Sequence, residues 1–413
     1  MRAISISIIK DVESGRFLDE TIDSIFSRSH LDEGKQSLIY QITSGVVRWR
    51  GYLEHVLSRY TAKPIDSDIR YLLWMSIYQV GFMKKAHYHV IKEAVDYAKK
   101  ARGKFVAGFV NAVLRKFAND KEIHGLHRDE FLELTFPEWL AKRWLLRFGE
   151  DETKKLLSKL NTEPEFALRV DTSRITADEA IRRLGDIGIA ARSGRFSPSA
   201  VIAEKLSPVI KSTLFSEGLI SVQDEASQLA GMAVSAAKGR VILDACAGSR
   251  TKSKQIGLLR PDACVFSMDN DLKRLSLSSS PGNVICADAF RAPFKAASFD
   301  TILVDAPCSS LGIIRKHPEI KWRRGERDIT EFGAYQFSLL QSIWDLLKRG
   351  GQIIYSVCSF EPEETLQVID NLAKEKKFVL EKPLPFLFNK DYFLSLPHET
   401  AMDGFFIARM KKL

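Results

Sequence analysis

The chain has 413 residues, too many for a single compact core, so two or three domains are expected. Its 45% hydrophobic content is ordinary for a globular protein, no apolar run approaches the roughly 18 residues that span a bilayer, and Lys10-Asp11 cuts short any secretory leader, which points to the cytoplasm. The net charge of +9, from 61 Lys and Arg against 52 Asp and Glu, favours a polyanionic partner.

Residues 1–125 read as nearly all helix. From Ile69 to Val80 apolar side chains cover almost the full helical circumference, the mark of a central buried helix. Ile91, Ala94, Val95 and Ala98 recur at amphipathic spacing, which turns the neighbouring lysines outward. From Lys84 to Lys104 there are seven Lys or Arg, interleaved with His87, Tyr88, His89 and Tyr97, a mix suited to phosphate neutralisation and base stacking. A solvated helix face explains the same run equally well. The charged stretch 119–129 is the expected linker, and Pro137 opens a further helix through Trp144. Short alternating runs at 167–170 and 200–203, with an amphipathic helix between them, make 126–220 a helical linker and a small α+β module.

From 221 to 413 the pattern becomes strand, turn, helix, repeated. Candidate strands are 241–245, 263–269, 283–288, 301–306, 351–358 and 405–410, apolar throughout as parallel strands covered on both faces should be. A doubly wound, Rossmann-like α/β domain follows. Asp244, Asp269 and Asp288 stand at three successive strand mouths, where a carboxylate binds ribose hydroxyls or caps the next helix. The first turn, Asp244-Ala-Cys-Ala-Gly-Ser-Arg-Thr-Lys-Ser253, has one glycine and so disfavours a dinucleotide pyrophosphate; S-adenosylmethionine, which has no phosphate, is compatible.

Five cysteines, at 246, 264, 286, 308 and 358, form no Cys-x-x-Cys pair and have no His cluster, so reduced thiols and no metal are expected. Two of them end predicted strands: Asp305-Ala-Pro-Cys308 and Ser356-Val-Cys358-Ser359. Both belong at the carboxyl edge of the sheet, where open α/β folds bind ligands. Spacing does not rank them, because the two motifs are equivalent. The strip from Arg315 to Arg327, with six Lys or Arg plus His317 and Trp322, reads as a second nucleic-acid surface.

Gly45-Val-Val-Arg48, the 71–82 helix, Ile91-Lys-Glu-Ala-Val95 and Gly108-Phe-Val-Asn-Ala-Val-Leu-Arg115 resemble the RNA-binding helical domain of the antitermination factor NusB. The remainder resembles the RNA cytosine-C5 methyltransferases of the bacterial Sun/RsmB type, through Phe136-Pro-Glu-Trp139, Val222-Gln-Asp-Glu-Ala-Ser-Gln228, Arg315-Lys-His-Pro-Glu-Ile-Lys-Trp322, Glu361-Pro-Glu-Glu364 and Asp403-Gly-Phe. The resemblance implies an all-α NusB-like domain ahead of a Rossmann-like methyltransferase domain, S-adenosylmethionine as methyl donor and small-subunit rRNA as substrate; a monomer is expected. It further implies Cys358 as nucleophile at cytosine C6, Cys308 as the residue aiding release and Asp305 as the group that hydrogen-bonds the base. Cys246, Ala247, Gly248, Ser249, Arg250, Thr251 and Lys252 would form the cofactor loop, with Asp269, Asp288 and Asp305 also at the cofactor.

The family pattern in that loop is Asp-x-Cys-Ala-Ala-Pro-Gly-Gly-Lys-Thr, whereas this chain has Gly248, Ser249, Arg250 and Thr251 in place of Ala-Pro-Gly-Gly. Arg and Thr remove positions that tolerate φ > 0 and add side chains where backbone should approach a ligand. This departure motivates an alternative: an RNA-binding or ribosome-assembly protein of the same fold with weakened or lost methyl transfer. Transcription antitermination through the helical bundle is a third reading, and it leaves two-thirds of the chain idle.

Overall fold

A computed structural model describes residues 1–121, 128–278 and 282–413. The boundary expected at 125/126 and the middle of the linker expected over 119–129 lie outside those residues. Two units are distinct: Met1–Thr162 with Ile314–Gly325, and Glu163–Ile313 with Glu326–Leu413. Among the described residues no helix is long and apolar enough to cross a membrane.

The first unit is helical: α1 (Arg2–Glu13), α2 (Leu18–Phe26), α3 (Glu33–Ser58), α4 (Ser67–Gly81), α5 (His87–Arg102), α6 (Lys104–Asn119), α7 (Glu138–Phe148) and α8 (Glu150–Leu160). Asp32 and Asp66 cap α3 and α4 by accepting the Lys35 and Asp68 backbone N–H groups at 2.9 and 3.0 Å. Every side chain from Tyr71 to Val80 is buried, so α4 is the central helix that its all-round hydrophobicity predicts. In α5 the inward face is Val90, Ala94 and Ala98, with Ile91 and Val95 packed beside them. Its lysines lie on the solvent side, as amphipathic spacing requires.

Residues 314–325 belong to this unit although strands of the other unit flank them in sequence. Lys321 is fully buried, its Nζ donating to the Arg48 carbonyl at 2.9 Å and to Asn161 Oδ1 at 3.0 Å, with the centre of the Phe136 ring 4.0 Å away. Arg48 donates in turn to the Arg315 carbonyl at 2.8 Å and the Thr162 carbonyl at 3.0 Å, and the Trp322 indole donates to the Val47 carbonyl at 2.9 Å. The expectation of an exposed cationic strip from Arg315 to Arg327 therefore fails at its core. Arg315, Lys321 and Trp322 fasten the segment to the bundle, and Arg327 is exposed.

The second unit holds two sheets. The smaller is antiparallel, in the order β2-β3-β1-β4, built from β1 (Phe166–Val170), β2 (Ala191–Ser193), β3 (Ala200–Ala203) and β4 (Ile220–Val222), with α9 (Ala177–Asp186) packed on it. This is the α+β module expected from its short alternating runs.

The larger sheet contains β5 (Val241–Asp244), β6 (Cys264–Asp269), β7 (Asn283–Cys286), β8 (Phe299–Asp305), β9 (Leu347–Val357), β10 (Phe378–Glu381), β11 (Tyr392–Ser395) and β12 (Phe405–Lys412). Its order is β10-β12-β9-β8-β5-β6-β7, with β11 also pairing β12. Helices cover both faces. On one, α12 (Glu326–Ile343) and α13 (Leu366–Glu375) pack Leu339, Leu340, Ile343, Val368 and Leu372 against Leu243, Ile302, Val304, Ile353 and Tyr355. On the other, α10 (Glu225–Ser235) and Ile256 of α11 (Thr251–Leu259) meet Ile242, Leu303, Ile354 and Ile407.

Two strands depart from the expected all-parallel, doubly covered pattern. β12 runs antiparallel to β9, pairing Phe406 with Val357, because the chain inserts it between β9 and the edge strand β10; burial on both faces leaves the same apolar signature whichever way a strand points. β7 is an edge strand, and Asn283, Val284 and Cys286 are exposed.

Candidate active site

β8 ends at Asp305 and β9 at Val357, and the parallel register opposes Asp305 to Ser356. Each strand then turns, through Ala306-Pro307-Cys308 and Cys358-Ser359. The two turns bring Cys308 Sγ and Cys358 Sγ to 3.1 Å, with the Ser310 hydroxyl 3.8 Å from the first and 3.6 Å from the second. The chain ties them again where Gly312 N–H donates to the Cys358 carbonyl at 3.0 Å. A Cβ on Gly312 would stand 2.0 Å from the Gly404 carbonyl oxygen, so only glycine permits this approach. Both thiols are free. The hydrogen bond from Cys358, then burial, then the neighbouring charges hold the Cys308 thiol well above an ordinary cysteine, so Cys308 keeps its proton at neutral pH.

Beside the thiols, Lys252 donates to Asp305 Oδ2 at 2.6 Å and Ser356 donates to Asp305 Oδ1 at 2.8 Å. Burial opposes the Lys252 charge, but Asp305 outweighs it and raises the ammonium above its usual value; Asp244 and Cys358 add to that pull. Lys252 thus remains cationic next to the sulfur pair.

The loop expected to hold the cofactor runs from β5 into α11. Ala247 N–H donates to the Met268 carbonyl at 2.8 Å, and Gly248 N–H to Asp269 Oδ2 at 2.7 Å. Asp269 is buried, and its other oxygen accepts the Asp271 N–H at 3.0 Å. Gly248 has φ 51°, and Arg250 also adopts the left-handed region at φ 62°. Positive φ therefore survives without the paired glycines, and the reason lies in the Arg250 side chain. It is buried, its Nε donating to the Leu275 carbonyl at 3.1 Å and its terminal nitrogen to the Ser278 carbonyl. Ser249 and Thr251 pair through their hydroxyls at 3.0 Å.

At the base of the loop Asp244 is buried and accepts the Ser253 hydroxyl at 2.6 Å, while its Oδ1 has no partner. Burial pushes its carboxyl up to about 7, the Ser253 bond opposing. Burial likewise raises the Cys246 thiol far above its ordinary value, which makes it an inert wall of the site. Asp288 is exposed and caps the turn at 289–291 through the Phe290 N–H at 3.0 Å.

Several residues of the site carry no motif that spacing alone would single out. Tyr335 of α12 is raised by burial and then by the charges of Cys246, Asp288 and Asp269, and its ring meets that of Phe290 edge-on at 5.3 Å. Arg169 of β1 donates to the Thr251 carbonyl at 3.1 Å and to Gln223, and Gln223 continues to Gln255 at 2.7 Å. The small sheet thus supports the start of α11. Burial lowers Arg169 to about 10. The only sequence signal for this network was the Val222 to Gln228 motif, whose Gln228 donates to the Leu168 and Gln223 carbonyls.

A Rossmann-like sheet with paired thiols, a cationic lysine and a strand-end acid at its carboxyl edge defines the class of S-adenosylmethionine-dependent RNA methyltransferases, and comparison with known proteins agrees. Residues 232–411 match the family described as 16S rRNA methyltransferase RsmB/F, residues 136–210 its ferredoxin-like domain, and residues 1–119 the NusB family. The chain is 30% identical to ribosomal RNA small subunit methyltransferase B of Pasteurella multocida, covering 100% of this chain and 96% of that one, and 32% identical to the Vibrio cholerae protein of the same name, covering 91% and 89%. The chain belongs to this methyltransferase B family. Its fold is shared with the crystal structure of PH0851 at a TM-score of 0.80 and 23% identity over 100% of this chain and 99% of that one. It is shared over 67% of this chain and 98% of that one with NSun6 from Pyrococcus horikoshii with SFG, at a TM-score of 0.60 and 20% identity.

Proposed function

We propose that the protein transfers a methyl group from S-adenosylmethionine to C5 of a cytosine in small-subunit rRNA, in the cytoplasm and as a monomer, through a covalent cysteine adduct at C6. The observation that carries this reading is the pair of sulfurs 3.1 Å apart beside the Lys252–Asp305 pair. Cytosine C5 is a weak nucleophile, and a thiolate bonded to C6 pushes electron density onto it. The resemblance to the RNA cytosine-C5 methyltransferases assigns the attack to Cys358. Asp305 is assigned to hydrogen-bond the base, and Lys252 to offset negative charge on the adjoining carboxylate and sulfur. After transfer, a base takes the C5 proton, the C5–H electron pair restores the ring double bond and the C6–S bond breaks to return the Cys358 thiolate, a release that the resemblance assigns Cys308 to aid.

The residues of the loop fit the methyl donor. Gly248 turns the chain with φ > 0, Asp269 keeps a lone pair on each oxygen for a ribose hydroxyl, and Asp288 is assigned to the adenine side with Tyr335. Bound there, S-adenosylmethionine supplies the electrophilic methyl group. Residues 1–125 and the module within 126–220 are assigned to RNA recognition, and 221–413 to catalysis. The target base must leave its stack to reach a thiol at the end of a strand.

The decisive experiment compares two variants. Cys308→Ala is expected to trap a denaturant-stable protein–RNA adduct and Cys358→Ala to form none; adducts from neither variant, with RNA bound, overturn the mechanism. Bisulfite sequencing of rRNA from cells with and without the protein identifies the base. The substitutions Arg250 and Thr251 favour a second reading, an RNA-binding or assembly protein without transfer. Calorimetric titration with S-adenosylmethionine separates the two, since absence of binding supports the second.

A further inference from the structure

The residue after each thiol is a serine, and both serines converge on one buried carboxylate. Ser309 and Ser359 are fully buried, and their hydroxyls donate to the same oxygen of Glu364, Oε2, at 2.5 and 2.6 Å. The other oxygen, Oε1, accepts the Ser309 backbone N–H at 2.7 Å and Gln336 Nε2 at 3.2 Å. Gln336 also donates to the Pro307 carbonyl at 2.9 Å, immediately before Cys308. Tyr355 donates to the Glu364 carbonyl at 2.6 Å and to Gln336 Oε1 at 2.9 Å, so the clamp is itself braced from β9. Glu364 thus receives four donors on its two oxygens, and each thiol-bearing turn reaches it directly.

We propose that Glu364 is the positioning residue of the two-thiol centre: by binding Ser309 and Ser359 through one oxygen it sets the separation of Cys308 and Cys358. The proposal rests on the two-thiol chemistry above. Only a carboxylate accepts at all four places; glutamine would accept at its oxygen and present two N–H donors where Ser309 N–H and Gln336 already donate. Burial pushes the Glu364 carboxyl up, and the bonds from Ser309, Ser359 and Gln336 oppose it. Its charge is also among those that keep Cys308 protonated. Sequence distance hides the arrangement, since Glu364 lies 55 residues from Ser309 but only five from Ser359.

The test uses the full chain with the exposed Cys264 and Cys286 changed to Ser, and compares parent, Glu364→Gln, Ser359→Ala and Cys308→Ala. Without RNA, equilibration against reduced and oxidised glutathione measures the effective concentration of one thiol at the other. That value is expected to fall about 10-fold in Glu364→Gln and by less in Ser359→Ala. With RNA and methyl donor, kcat is expected to drop about 100-fold with little change in KM for RNA, and the stable adduct to accumulate as it does in Cys308→Ala. A purely structural role would lower adduct and activity together. An unchanged thiol equilibrium in Glu364→Gln, or in Ser359→Ala should the former not fold, overturns the positioning role. No adduct from Cys308→Ala overturns the transfer mechanism instead, and the glutathione measurement still decides the role of Glu364.

Discussion

Lys252 Nζ stands 2.6 Å from Asp305 Oδ2, and both side chains are largely shielded from solvent, at 14% and 29% exposure. The pair is therefore more than a surface ion pair, and each charge depends on the other. In Asp305→Asn the burial that already opposes the ammonium is no longer outweighed, so the Lys252 pKa should fall below its usual 10.5. The expected outcome is a loss of methyl transfer of about 100-fold or more and a stability loss of about 2 kcal/mol, read by single-turnover assay and urea titration. In the parent the raised Lys252 pKa means that its stabilisation is fully present below pH 10.5 and is lost only above that, so Lys252 adds no pH dependence near neutrality.

Arg250 holds a left-handed backbone while its guanidinium binds the Leu275 and Ser278 carbonyls. Two variants separate these effects. Arg250→Ala keeps the unfavourable φ and loses the bonds, whereas Arg250→Gly loses the bonds but relieves the backbone. Both should be less stable than the parent, with the Gly variant the more stable of the two by about 1 kcal/mol in denaturant titration. Equal stability of the two variants would show that the loop relaxes out of the left-handed region.

Asp244 is a buried carboxyl held up to about 7 against an ordinary 3.8. Its folded-state pKa is raised, so the folded protein retains a proton that the unfolded chain has released. Stability is therefore lost as pH rises from about 4 to 7 and stays at the lower level above that. Asp244→Asn removes this dependence. The stability of the variant relative to the parent should rise across the window, by up to ~4 kcal/mol, when thermal unfolding is followed from pH 4 to 8.

Lys321 is the opposite case. Burial, and then repulsion from Arg48, drive its pKa well below 10.5, and a neutral amine has two N–H groups for its two acceptors, the Arg48 carbonyl and Asn161. The unfolded chain binds the proton that the folded one gives up, so stability rises with pH toward 10.5, by at most ~1.4 kcal/mol per unit. Lys321→Met should flatten that slope between pH 7 and 10. An unchanged slope in the variant would assign the pH dependence to other groups.

Local pattern alone determined much of this protein. The all-round hydrophobic stretch of α4, the amphipathic α5 and the apolar runs of β5, β6, β8 and β9 emerge at their expected places, because burial of a helix face or strand is encoded within a few residues. The same locality placed Cys308 and Cys358 at strand ends and Lys252 in the first turn of α11. Tertiary structure decided whatever depends on partners distant in sequence. The strip at 315–327 has the composition of a nucleic-acid surface, yet Lys321 is buried against a carbonyl 273 residues away, and no local pattern distinguishes a solvated lysine from one that a remote backbone will enclose. The direction of β12 was equally silent in its hydropathy. Arg250 looked incompatible with its turn because the carbonyls that hold it lie 25 and 28 residues downstream. The 3.1 Å between two sulfurs required the register of β8 on β9 and a glutamate that grips both turns, which is long-range geometry that residue types and spacing do not carry.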